Sequence, residues 1–316
     1  MKRGYIFPGQ GSQSVGMGRA LAEEFGAARD VFAAVDDALD QKLSQLMWDG
    51  PESELTLTEN AQPALMAVSM AVLRVLAENG IKLSDDAAYV AGHSLGEYSA
   101  LTGTGALELA DAARLLKLRG QAMQRAVPVG VGAMAALLGL EFEAVVEVAE
   151  QAEQGEEICA AANDNAVGQV VVSGHAAAVA RAIDLAKERG AKRAMELPVS
   201  APFHCALMQP AAEEMQAALA ETKIVAPSVP VIANVRAAPV SDPEEIRSLL
   251  VEQITARVRW RESMIWLADN AAGNLVELGS GKVLTTMARR IDPRLSAQAI
   301  STPDDISAYL EENKGD

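Results

Sequence analysis

The chain is poor in the residues that build disulfide, metal and nucleic-acid sites. It has two cysteines, Cys159 and Cys205, among 316 residues. That is too few for a disulfide framework at this length. Its three histidines, His93, His175 and His204, lie far apart and lack paired ligand spacing, so no metal site is expected. Aromatics are only 4% of the chain, and 27 Lys and Arg face 43 Asp and Glu, for a net charge of -16. With no long basic run, nucleic acid and anionic membranes are excluded as partners. An acidic partner would need a local basic face. Long apolar runs are missing too. Ala126–Leu140 is uncharged but broken by Pro128, Gly130, Gly132 and Gly139, short of the about 20 apolar residues of a membrane span. Met1 to Phe7 is too short for a signal peptide, so a cytoplasmic location is expected.

Phosphate motifs fail in detail. Gly279-Ser280-Gly281-Lys282 is followed by Val283 where a P-loop needs Ser or Thr, and Val276 stands in place of its first glycine. Gly9-x-Gly11 is followed by Ser14 where a dinucleotide fingerprint needs its third glycine.

What is present is ample core. Half the residues are hydrophobic, and the length suggests about two domains. Gly4–Phe7 and Ala87–Gly92 read as short strands, each running into a glycine-containing loop. Thr58 is placed to cap a helix from Ala61 to Glu78, whose Leu65, Val68, Val72, Val75 and Leu76 recur at helical spacing. Glu108–Ala126 reads as a further helix. The pattern then changes. Gly132–Leu138, Glu157–Ala162, Gln169–Ser173 and Ala191–Leu197 read as strands, with helices at Glu141–Ala152 and Ala176–Arg189. That order is βαββαβ, a ferredoxin-like unit. Helix–strand alternation resumes after Pro198, predicting a mostly parallel sheet. The expected fold class is α/β: an α/β-hydrolase-like large domain in two pieces, 1–127 and 198–316, with a ferredoxin-like small domain, 128–197, inserted between them.

Gly92-His93-Ser94-Leu95-Gly96 fits the nucleophile-elbow pattern G-x-S-x-G, with a strand before it and a helix after it. The pattern raises the Ser94 hydroxyl at the strand end and aims the free N–H groups of a helix start at any nearby oxyanion. A serine needs a base. His93 adjoins Ser94 on a tight turn, where neighbouring side chains diverge. His175 starts a helix in the inserted unit and reads as a cap or surface residue. His204 remains. For the oxyanion, one donor is the backbone N–H of Leu95. The second must come from another loop, and Gly9-Gln10-Gly11 is as well read as an ordinary turn. On spacing alone Arg119 belongs to a stripe with Arg114, Lys117 and Arg125, which reads as a solvated helix face.

Beyond these residues, the chain resembles malonyl-CoA:acyl carrier protein transacylases. The resemblance rests on Phe7-Pro8-Gly9-Gln10-Gly11-Ser12-Gln13, Gln62-Pro63-Ala64, Gly92-His93-Ser94-Leu95-Gly96-Glu97-Tyr98, Arg119-Gly120-x-x-Met123-Gln124, Asn165 with Gly168-Gln169-Val170, Pro202-Phe203-His204 and Glu277-Leu278-Gly279-x-Gly281-Lys282-Val283-Leu284. It implies that Ser94 is the nucleophile, His204 its base, and the N–H groups of Gln10 and Leu95 the oxyanion hole. It further implies that Arg119 binds the malonyl carboxylate, and that Gln62, Phe203, Asn165 and Met123 shape the acyl site. The histidine is oriented by a backbone carbonyl, which the resemblance puts at Arg259. Phe203 would fill the room that an α-methyl group needs. The implied substrate is malonyl-CoA, the partner acyl carrier protein, and no cofactor is needed. Carrier proteins are acidic, so a docking face is expected from Lys117, Lys192, Arg193, Lys282, Arg289 and Arg290, on a monomer. Fatty acid synthesis is the expected pathway, with polyketide or malonate decarboxylase systems as alternatives. A serine hydrolase shares G-x-S-x-G, but this chain lacks an HGGG-type loop.

Overall fold

The computed structural model describes residues 2–199, 201–270 and 272–313. Its strands are β1 (Arg3–Phe7), β2 (Ala87–Gly92), β3 (Gly132–Leu138), β4 (Cys159–Ala166), β5 (Gln169–His175), β6 (Arg193–Glu196), β7 (Val231–Ala233), β8 (Ala238–Val240), β9 (Asn274–Leu278) and β10 (Ser296–Ile300). The larger sheet runs β10-β9-β1-β2-β7-β8. Every pair in it is parallel except β7 with β8. Parallel strands are joined by helical crossovers that cover both sheet faces. Tyr5, Ile6 and Phe7 are accordingly all fully buried. Tyr5 and Phe7 face one apolar cluster, and Ile6 faces another with Trp260, Met264 and Leu284. The sequence reading places no strand at β8, which carries Pro239, a residue that argues against a strand interior. It lies at the sheet edge, where a missing N–H costs no ladder bond.

The helix expected from Ala61 starts at Thr58, with Leu57 at its cap position and no side-chain cap bond. Thr58 Oγ1 instead accepts from Gln10 Nε2 at 3.2 Å, tying the loop after β1 to the helix. Thr58–Glu78 is long and apolar enough to span a bilayer, yet 83% of its apolar window is buried inside the protein. Burying each of its Leu, Met and Val side chains is worth about 1.5–3 kcal/mol. Helix Leu109–Ala126 crosses it at Gly120. A Cβ there would lie 2.4 Å from the Cα of Glu59, so only glycine permits this approach.

The second sheet is antiparallel and runs β4-β5-β3-β6. Helices Phe142–Ala152 and Ala176–Glu188 pack on one face, which is the ferredoxin-like arrangement. From the other face Met134, Ala162 and Val171 join the core of the large sheet. β4 runs past the expected end at Ala162. Its tail is Asn163-Asp164-Asn165, residue types depleted in strands. Tertiary partners hold it there. The Asp164 N–H donates to the Val258 carbonyl at 3.0 Å, and Arg261 Nε donates to both Asp164 carboxylate oxygens at 3.0 Å. This pins the small sheet across the carboxyl ends of β1 and β2.

Candidate active site

Ser94 follows β2 at the carboxyl end of the parallel sheet, where open α/β sheets place their ligands. Helix Gly96–Gly103 begins directly after it. The turn is as sharp as the sequence predicts. Ser94 has φ 52°, the left-handed region that non-glycine residues rarely adopt. A Cβ on Gly92 would lie 1.8 Å from the Gly96 carbonyl carbon, and one on Gly96 would lie 2.3 Å from the Phe7 oxygen. Asn234, in the turn after β7, holds the elbow from both sides. Its Oδ1 accepts from Ser94 N at 2.8 Å and its Nδ2 donates to the Gly92 oxygen at 2.7 Å.

The Ser94 hydroxyl lies 2.8 Å from His204 Nε2. His204 Nδ1 donates to a main-chain carbonyl at 2.8 Å, which fixes the tautomer and leaves Nε2 as the acceptor. That carbonyl belongs to Gln253. The expected Arg259 is displaced from this place for a physical reason: its carbonyl accepts the N–H and the hydroxyl of Ser263, and its guanidinium pairs with Glu262. Burial first, and the Arg119 charge second, push His204 down to about 3, so it stands neutral at pH 7.

Arg119 is not on a solvated face. It is 1% exposed, because the crossing at Gly120 turns it into the protein. Nη1 donates to Gln62 Oε1 at 2.7 Å. Nη2 donates to Ser94 Oγ at 3.1 Å and to Gln253 Oε1 at 2.9 Å. Burial lowers its pKa, but an arginine stays cationic. Among the described residues no carboxylate forms an ion pair with it.

A cavity of about 330 Å³ opens over these groups, lined by Gln10, Gln62, Ser94, Leu95, Arg119, Met123, Asn165, Phe203 and His204 among others. The N–H groups of Gln10 and Leu95 have no acceptor among the described residues. Gln62 Nε2 touches the Met123 sulfur at 3.9 Å. Asn165, delivered by the tail of β4, bonds His93 Nε2 at 2.8 Å. His93 also packs edge-on against Trp260, and burial lowers its pKa. The third histidine, His175, accepts from Ile158 N at 3.0 Å in the small sheet, far from this chemistry. A larger hollow of about 490 Å³ is lined by Arg74, Lys82, Thr102 and Ser228 among others, and holds no nucleophile with a base.

Three residues of the site escaped the sequence reading: Gln253, Asn234 and Glu97. Gln253 is fully buried and Glu97 is 3% exposed. Burial pushes Glu97 up to about 7, against the hydrogen bonds it receives from Asn234 and Gln253. Glu97 lay within a quoted motif without a role, and nothing local marks the other two. Of the expected basic face, Lys192, Arg193, Lys282, Arg289 and Arg290 are exposed. Lys117 does not join that face. Its ammonium is spent on Gln41, Asn60 and Glu59 between helices.

A family described as the acyl transferase domain matches residues 4–308. The malonyl CoA-acyl carrier protein transacylase of Bacillus subtilis (strain 168) is 44% identical over 310 residues, 98% of this chain and 96% of that protein. The solved acyl-carrier-protein-S-malonyltransferase from Bartonella henselae is 55% identical, covers 99% of both chains and superposes with a TM-score of 0.96. A malonyl-transacylase solved in complex with its type II PKS acyl-carrier protein is 42% identical, with a TM-score of 0.96 over 99% of this chain and 100% of that one. Identity at this level over almost the whole length makes the chain an acyltransferase that belongs to the malonyl-CoA:acyl carrier protein transacylase family.

Proposed function

We propose that the protein moves a malonyl group from malonyl-CoA to the phosphopantetheine thiol of acyl carrier protein through a malonyl ester on Ser94. One observation carries this reading. Arg119 is a buried cation 3.1 Å from the Ser94 oxygen, and among the described residues it bonds to neutral oxygens alone. A desolvated guanidinium beside a nucleophile calls for an acyl group that brings its own carboxylate.

In the first half-reaction Ser94 Oγ attacks the thioester carbonyl while His204 Nε2 takes its proton. The oxyanion is held by the N–H groups of Gln10 and Leu95. Collapse of the adduct expels the coenzyme A thiolate, which leaves with the proton from His204. In the second half-reaction His204 takes the proton of the carrier thiol as its sulfur attacks the Ser94 ester, and returns it to Ser94 Oγ. The chemistry needs no cofactor. The Arg119 charge helps to hold His204 low. A malonyl carboxylate seated on Arg119 cancels part of that field, so the base strengthens when the fitting acyl group is bound.

The same reading places the enzyme in the cytoplasm as a monomer serving fatty acid synthesis. It docks its acidic carrier on Lys192, Arg193, Lys282, Arg289 and Arg290. The test is intact-protein mass spectrometry after brief mixing with malonyl-CoA. One malonyl adduct is expected, absent in Ser94→Ala and removed by holo acyl carrier protein. An adduct that only water removes would point to a hydrolase.

A further inference from the structure

Two functional groups of the site hang on one residue. The main-chain carbonyl of Gln253 holds His204 Nδ1 at 2.8 Å, and its side-chain Oε1 accepts from Arg119 Nη2 at 2.9 Å. The other end of that amide, Nε2, donates to Glu97 Oε2 at 2.9 Å and to the Ser94 carbonyl at 3.1 Å, with Asn234 Oδ1 at 3.3 Å. Glu97 Oε2 also accepts from the Asn234 N–H at 3.0 Å. Gln253 and Glu97 are both buried, so water cannot replace a lost partner.

An amide can point either way, and its neighbours decide which. Arg119 only donates. If the amide turned over, its NH2 would face a guanidinium N–H, and its oxygen would face the carboxyl oxygen of Glu97. Both contacts would fail. We infer that Glu97 is a positioning residue: its carboxyl oxygen locks the Gln253 amide, so that one glutamine presents Arg119 to the acyl carboxylate and keeps His204 aligned on Ser94.

The inference rests on the reading that Arg119 receives the acyl carboxylate. It assigns Glu97, which touches neither substrate nor reacting atoms, a part in choosing a carboxylated acyl group over a neutral one. Neutral acyl groups use His204 but not Arg119, so the lock serves malonyl transfer more than acetyl transfer. A residue that merely supports the fold would affect the two alike.

The experiment measures the rate of Ser94 acylation by malonyl-CoA and by acetyl-CoA, in the intact protein, by quenched-flow mass spectrometry. Glu97→Met removes the acceptor and keeps the bulk. It should lower the malonyl-to-acetyl rate ratio by about tenfold or more, as expected when a buried donor loses its partner. Glu97→Gln can still offer an oxygen to both donors and should keep the ratio within about threefold of the parent. Gln253→Met keeps the main-chain carbonyl but loses the amide, and should match Glu97→Met. The double variant should be no worse than either single one, because both remove the same lock. If Glu97→Met does not fold, Gln253→Met must still show the lowered ratio. An unchanged ratio in Glu97→Met or Gln253→Met, equal damage in Glu97→Gln, or effects that multiply in the double variant would overturn the inference. If instead the parent protein forms no malonyl ester on Ser94, it is the transacylase reading that fails.

Discussion

Replacing Arg119 with alanine separates the carboxylate clamp from the rest of the machinery. In the free site the guanidinium makes three hydrogen bonds to the described residues, all to neutral oxygens. A malonyl carboxylate arriving there gains charge-assisted bonds worth about 1.5–3 kcal/mol each. Two such bonds give about 3–6 kcal/mol, or roughly 10²- to 10⁴-fold in kcat/KM for acylation of Ser94. Acetyl-CoA brings no carboxylate, so its rate should stay within about tenfold. Arg119→Lys should recover only part of the loss, because an ammonium is a point charge and not a fork. The pH profile supplies a second signature. The Arg119 charge lowers the pKa of His204, so its removal raises that pKa. The acid limb, where protonation of the base stops the reaction, should then move to higher pH. Rapid-quench mass spectrometry with both acyl-CoAs across pH reads all of this. Equal losses for the two substrates with an unmoved acid limb would refute the clamp.

Gly120→Ala places a Cβ 2.4 Å from the Glu59 backbone. The two helices must part, at a cost of about 1–3 kcal/mol, and Arg119 moves with them. The thermal midpoint and malonyl kcat/KM should fall together, and an unchanged midpoint would contradict the packing argument. Glu97→Gln should change the pH dependence of stability. The folded-state pKa of Glu97 is raised from 4.5 to about 7, so its contribution is present below 4.5 and is lost as pH rises towards 7. The variant lacks this loss, and its unfolding free energy relative to the parent should therefore grow between about pH 4.5 and 7 and then level off. Denaturant titrations at several pH values check the sign. Lys282→Glu or Arg289→Glu should raise KM for carrier protein and leave KM for malonyl-CoA unchanged. If neither moves, the docking face lies elsewhere.

Much of this enzyme is written locally. The elbow at Ser94 needs only a strand, two small residues and a helix start within five positions, so its motif can be read without the fold. The order of strands and helices in the inserted unit is local as well, and it yields the small antiparallel sheet. His204 was legible because the chain has so few histidines.

What escaped depends on neighbours distant in sequence. A main-chain carbonyl carries no residue signature. The acceptor for His204 therefore came out as Gln253 rather than Arg259 only once helix Pro243–Thr255 was seen against the elbow. Asn163, Asp164 and Asn165 look like loop residues until Val258 and Arg261 pair with them as part of β4. Lys117 and Arg119 sit two positions apart on one helix and read as the same solvated stripe. Packing at Gly120 commits the first to an interhelical cluster and buries the second beside Ser94. A helix face acquires its environment from the helix it crosses, and the chain's own periodicity does not name that helix. The sequence alone determined which residues can do the chemistry. The tertiary structure decided which oxygen orients the base, which cation meets the acyl group and which buried amide connects them.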